Sequence, residues 1–109
     1  MSEKLKKNQL NEKEIYMDSV DFWEGESIYV MLIEEMSELT KALTKLLRNK
    51  LTGRRPEKVV EYKKNIKEEL VDVEIMLNIL KEFFDEKELL KMKEKKLKRL
   101  NKRMENGDL

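Results

Sequence analysis

Four carboxylates occupy positions where an amphipathic helix should be apolar. On a helical wheel turning about 100° per residue, Ile28, Leu32, Leu39, Leu43 and Leu46 cluster on one side of the segment Glu26–Asn49, with Met31 and Ala42 on its shoulder. Glu35 falls near the middle of that stripe, and Glu38 lies at its edge beside Met31 and Ala42. Lys41 and Thr44 take the opposite side, as a solvated face requires. Downstream, Val59, Ile66, Leu70, Val73, Leu77, Leu80 and Phe84 mark a second apolar side, extended by Met76 and Phe83. Glu69 lies inside that arc, and Asp72 sits on its flank between Met76 and Ile79.

Ionised carboxylates are expensive to bury without partners. Four brought together also repel one another and raise one another's pKa values. The chain has no His to help, and few Lys or Arg lie on these faces. A divalent cation is the simplest remedy, and spacings of three residues set each acidic pair on one helical face, as shared ligation needs. Oxygen ligands alone point to Mg²⁺, Mn²⁺ or Ca²⁺. The rival arrangement is a salt-bridged bundle in which Lys41 or Lys45 reaches the acids. With neither His nor Cys in the sequence, Ser-His-Asp and Cys-His catalysis, zinc fingers and Glu-x-x-His di-iron sites are excluded.

The elements that must position these acids are helices. Gly25, Gly53, Gly107 and Pro56 are the only Gly and Pro residues, and long stretches are built from Leu, Glu, Lys and Met. The pattern predicts one long helix over about Glu26–Asn49, with Ser27 near its cap, and a connection over Asn49–Pro56. There Gly53 suits a left-handed position after a helix, and Pro56 the first turn of the next. A second long helix is expected over Pro56–Phe84, an interruption at Asp85–Glu86, and a third helix over Lys87–Glu105. A shorter helix near Gln9–Val20 is weakly signalled. Two helices joined by a short connection pack antiparallel, which would bring the four carboxylates to a shared face.

The 109 residues suggest one domain spanning the chain, all-α and built as an antiparallel bundle. Apolar residues make up 39% and charged residues 43%, which is lean for a small domain with a high surface-to-volume ratio. Long solvated helices that complete their core by association fit that balance. The net charge of +1 argues against a nucleic-acid-binding domain, although Lys91–Arg103 holds eight basic residues against Glu94 alone. No apolar run reaches the roughly 18–20 residues of a membrane span, and Met1–Leu10 lacks the hydrophobic region of a signal peptide. A cytoplasmic protein with no membrane partner is expected.

The run Ile33-Glu34-Glu35-Met36-Ser37-Glu38-Leu39, followed by Glu68-Glu69-Leu70-Val71-Asp72-Val73, resembles the E-E-x-x-E … E-x-x-D signature of MazG-like nucleoside triphosphate pyrophosphohydrolases. The resemblance covers roughly Phe22–Arg103. It implies Mg²⁺, with Mn²⁺ as a substitute, on Glu35, Glu38, Glu69 and Asp72. It also implies hydrolysis of an NTP or dNTP to the monophosphate and pyrophosphate, in a homodimer or homotetramer. Glu34 or Glu38 is then the candidate to accept the proton of the attacking water.

Lys98-Arg99-Leu100-Asn101-Lys102-Arg103 looks like the family's downstream Lys-x-x-Asn-x-Arg region, which makes Lys98, Asn101 and Arg103 phosphate-binding candidates. The competing view is a solvated tail on an amphipathic helix whose inner side is Leu89, Leu97, Leu100 and Met104. Trp23 precedes the first motif, where relatives place aromatic residues near the base, and could stack there or simply pack. The His frequent in the family near this point is missing. Two alternatives stand beside the hydrolase: a non-catalytic helical interaction module, and a hydrolase of another pyrophosphate linkage such as phosphoribosyl-ATP.

Overall fold

The computed structural model describes residues 11–107, and every regular element among them is helical. Helix α1 spans Glu12–Phe22, α2 Glu26–Thr52, α3 Val59–Lys81 and α4 Glu86–Glu105, with a 3-10 turn at Pro56–Lys58 ahead of α3. No helix of the described residues is long and apolar enough to cross a membrane. The expectation about Met1–Leu10, and the Gln9 end of the predicted short helix, lie outside the described residues.

Local chemistry sets the helix boundaries. Asn11 has extended backbone and its side chain accepts from the Glu14 N–H, so α1 starts at Glu12, and it runs two residues past the predicted Val20 to Phe22. The cap of α2 is Gly25, at φ 36°, with Ser27 close by inside the first turn; a positive φ of this kind suits Gly far better than a residue with a Cβ. At the other end α2 continues three residues past Asn49 to Thr52 and stops on Gly53 in the left-handed region at φ 62°. The predicted second helix divides in two. Pro56 opens a 3-10 turn, and beyond Lys81 the N–H groups of Glu82, Phe83 and Phe84 bond three residues back, to Ile79, Leu80 and Lys81. Asp85 then caps α4 by accepting from the Lys87 N–H at 3.3 Å.

Asn49 locks the hairpin connection. Its amide Nδ2 donates to the Arg55 carbonyl at 2.8 Å and its Oδ1 accepts from the Arg55 N–H at 3.1 Å. The side chain is buried, and it continues the α3-facing stripe one step beyond Ala42 and Leu46. Replacing Asn49 by Ala removes both bonds, and a loss of about 1–3 kcal/mol is expected in urea unfolding. A smaller change would mean that water takes over both Arg55 groups.

The main packing is α2 against α3, an antiparallel hairpin, with α1 laid on α3. The core is Ile28, Leu32, Val73, Met76 and Ile79, flanked by Tyr16, Val20, Trp23, Met31, Leu39 and Leu80. Lys13 bonds Glu82 at 2.6 Å and Asn78 donates to the Tyr16 hydroxyl at 3.4 Å, so α1 runs antiparallel to α3. Five residues assigned to the buried side from the wheel are exposed instead: Leu43, Leu70, Leu77, Phe83 and Phe84. The reason is phase. Ile28, Leu32, Glu35, Leu39, Ala42, Leu46 and Asn49 on α2 form one seam with Tyr62, Ile66, Glu69, Val73, Met76 and Leu80 on α3. Leu43, Leu70 and Leu77 lie a step further round each helix, past the contact. The fourth helix buries no residue, so Leu97, Leu100 and Met104 have no inner side to face in the protomer.

Candidate metal centre

Glu35 and Glu69 occupy opposing positions in the α2–α3 seam, where the heptad pattern would place a leucine. Asp72 stands one turn beyond Glu69 at the edge of the same contact. Each of the three offers a carboxylate oxygen, and the three oxygens lie within 4.8 Å of one another. Glu35 and Glu69 are half-buried and Asp72 is exposed, so the cluster opens sideways from the hairpin rather than closing into its core.

The electrostatics follow from that placement. Burial raises the Glu69 carboxyl above its ordinary value of 4.5, and the charges of Asp72, Glu35, Glu38 and Glu68 raise it further. No cation offsets them. Among the described residues the ion pairs are Lys13–Glu82, Lys41–Glu38 and Lys58–Glu61, and none engages Glu35, Glu69 or Asp72. The salt-bridged alternative is therefore confined to its outermost member: Lys41 reaches Glu38 at 3.5 Å across an exposed turn, and Lys45 reaches none of the acids.

A carboxyl whose folded pKa is raised binds more protons folded than unfolded at pH values just above 4.5. Its contribution to stability is present below 4.5 and is lost as pH rises through the raised value. At neutral pH the ionised Glu69 carboxylate works against the fold. A divalent cation bound there would offset that charge, and a set of carboxylate oxygens is the donor type that hard cations take.

The other candidates are placed less tightly. Glu38 is exposed, one turn from Glu35 and outside the three-oxygen group. Glu34 is exposed and also outside it. Trp23 is half-buried, packed against the core and edge-on to Phe22, with ring centres 5.2 Å apart at 84°. Its packing role is therefore real. Lys98, Asn101 and Arg103 are exposed on α4, which makes no extended packing against α2 or α3. No ion pair ties them to the acids, and Asn101 donates to Glu105 at 3.3 Å.

Asn49 is the positioning residue that the wheel passed over. It is a polar side chain on an apolar stripe, the same signal that singled out Glu35, and backbone groups satisfy it.

No family model, no curated protein and no solved structure matches this chain.

Proposed function

We propose that the protein is a Mg²⁺-dependent nucleoside triphosphate pyrophosphohydrolase, working as an association of copies. The observation that carries this reading is the grouping of Glu35, Glu69 and Asp72, three carboxylate oxygens within 4.8 Å with no basic side chain paired to them. The resemblance of Glu34–Glu38 and Glu68–Asp72 to the MazG-like signature supplies the reaction.

In this reading Glu35, Glu69 and Asp72 hold the cation, and Glu38 joins them by turning from Lys41 toward Glu35. Bound there, Mg²⁺ would lower the pKa of a water, orient it toward the α-phosphorus and offset charge on the departing pyrophosphate. The water oxygen bonds to the α-phosphorus, the bond from that phosphorus to the β-bridging oxygen breaks, and the products are monophosphate and pyrophosphate. Glu38 accepts the water's proton, because it is near the cluster and least committed to it; Glu34 is the second candidate. Lys98, Asn101 and Arg103 supply positive charge and a donor for the phosphates, and Trp23 offers a ring face to the base. The protein's work is positioning and charge compensation rather than covalent chemistry.

The test is product analysis. Each common NTP and dNTP is incubated with the protein in Mg²⁺ and in EDTA, with phosphoribosyl-ATP alongside. Monophosphate plus pyrophosphate, formed only with Mg²⁺, is expected from the nucleoside triphosphates. Diphosphate plus phosphate would reject the cleavage position. Turnover of phosphoribosyl-ATP alone would move the substrate class, and no turnover at all would make the hairpin a binding or regulatory module.

A further inference from the structure

The hairpin turn gathers positive charge as the α2–α3 seam gathers negative. From Lys45 to Lys58 the chain carries six basic residues against Glu57 alone. Lys45, Arg48 and Thr52 follow one another at intervals of three and four along the end of α2, so they share one face. Arg54 and Arg55 come from the turn and Tyr62 from the start of α3. With Asn49 they line a concave pocket of about 190 Å³.

No carboxylate lines this pocket. Among the described residues none of Lys45, Arg48, Arg54 and Arg55 takes part in an ion pair, whereas Lys58 pairs with Glu61. The dipole of α2 welcomes a cation in its last turn, a place that Lys50 fills. Lys45 stands before that turn, and Arg54 and Arg55 stand after it. The pocket is also held in shape. Asn49 bonds both the N–H and the carbonyl of Arg55, which pins the backbone that carries Arg54 and Arg55. The Thr52 hydroxyl donates to the Arg48 carbonyl at 3.0 Å, so recognition falls to the cations.

We propose that this pocket binds the phosphate chain of a small polyphosphate ligand, apart from the metal centre and without a divalent cation. Four cations around one space repel one another, and a multiply charged anion relieves them all at once. The planar guanidinium presents a fork of donors that matches phosphate oxygens. Size sets the class of ligand. Ordinary small-molecule pockets begin at roughly 300 Å³, so this smaller one suits a short run of phosphates. Whatever is joined to them, a nucleoside for instance, lies outward beside Tyr62. A nucleic-acid backbone fits less well, because it asks for an extended basic face and the chain's net charge is only +1.

Distance separates this pocket from the carboxylates. Arg48 follows Glu35 by thirteen residues on the same helix, about 20 Å at a rise of about 1.5 Å per residue. A triphosphate held by Glu35, Glu69 and Asp72 of one chain does not span that gap, so the turn takes a ligand of its own. The inference is independent of the reaction proposed above.

The test is an NMR titration of the ¹⁵N-labelled full chain with inorganic triphosphate in EDTA, where metal-dependent turnover is silent. Saturable shifts are expected at the amides of Arg48, Thr52, Gly53 and Arg54, with those of Glu35 and Glu69 unmoved. The double variant Arg48→Gln, Arg54→Gln is expected to bind about tenfold more weakly or worse, two charge-assisted contacts being lost. Its helical circular dichroism should be unchanged, because both side chains are exposed. Arg48→Lys, Arg54→Lys keeps the charge without the fork and is expected to fall between the two. Shifts confined to Lys98–Arg103, or binding that appears only with Mg²⁺, would overturn the proposal, and so would a double variant that binds as the wild type does. Should that variant fail to fold, the wild-type shift map decides alone. A duplex oligonucleotide that moves the same amides at a lower phosphate concentration would overturn the small ligand and make the turn a nucleic-acid contact.

Discussion

Replacing Glu69 by Gln is expected to cost turnover while raising the stability of the metal-free protein. Gln keeps the size of Glu and one oxygen but gives up the charge that holds a hard cation. If Glu69 is a ligand, activity falls by roughly 10³-fold or to background, on the scale of losing a preorganised charge-stabilising group. The stability change has the opposite sign. Ionised Glu69 is disfavoured by burial and by Asp72, Glu35, Glu38 and Glu68, and Gln relieves that repulsion. The variant's melting temperature in EDTA should therefore exceed that of the wild type at neutral pH. The gap should close as pH falls through the raised pKa toward 4.5, where the wild-type carboxyl takes up its proton. Mg²⁺ should raise the melting temperature of the wild type and leave the variant almost unmoved. Retained turnover with ordinary Mg²⁺ dependence would remove Glu69 from the site. A wild type that Mg²⁺ fails to stabilise would take away the cation.

The second large effect is on stability. Among the described residues Ile28 is the one large side chain with no exposure at all, and it belongs to the core cluster against which Tyr16 and Val20 of α1 pack. Ile28→Ala is expected to cost about 2–5 kcal/mol, the transfer loss plus the cavity left behind. The upper part of that range applies, because so small a core has few neighbours able to collapse into the space. Each kcal/mol moves the melting temperature of a chain near this length by about 4–8 °C, so thermal and urea unfolding both resolve it. A cost below about 1 kcal/mol would mean that the hairpin is held elsewhere.

Much of this architecture was legible in the residues. Sparse Gly and Pro predicted helices throughout, and Gly53 followed by Pro56 marked the hairpin turn that the structure contains. The two acids inside the apolar stripes, Glu35 and Glu69, do meet across it, because an interior position on an amphipathic helix is fixed by phase alone. What phase cannot supply is the width of the contact. A single antiparallel partner covers a narrower arc than the wheel's apolar side, so Leu43, Leu70 and Leu77 counted as buried when they are exposed. Glu38 marks the same limit from the polar side. Its spacing puts it one turn from Glu35, but its carboxylate pairs with Lys41, and no periodicity records a rotamer. Asn49 stands on the apolar stripe as a polar residue, but nothing in the pattern says that its partner is the backbone of Arg55. The leucines of α4 gave an amphipathic helix, of which Leu89 is half-buried while Leu97 and Leu100 have nothing inside the protomer to lie on.

The site is written on one hairpin, α2 and α3 joined by a turn tied at Asn49, and this bears on how the protein folds. Its contacts are nearly all between residues close in sequence or mirrored about that turn, the low-contact-order topology associated with folding in microseconds to milliseconds. The repulsion among Glu35, Glu69 and Asp72 is felt only once the two helices have zipped together as far as the carboxylates. Cation binding should therefore act late, slowing unfolding much more than it speeds folding.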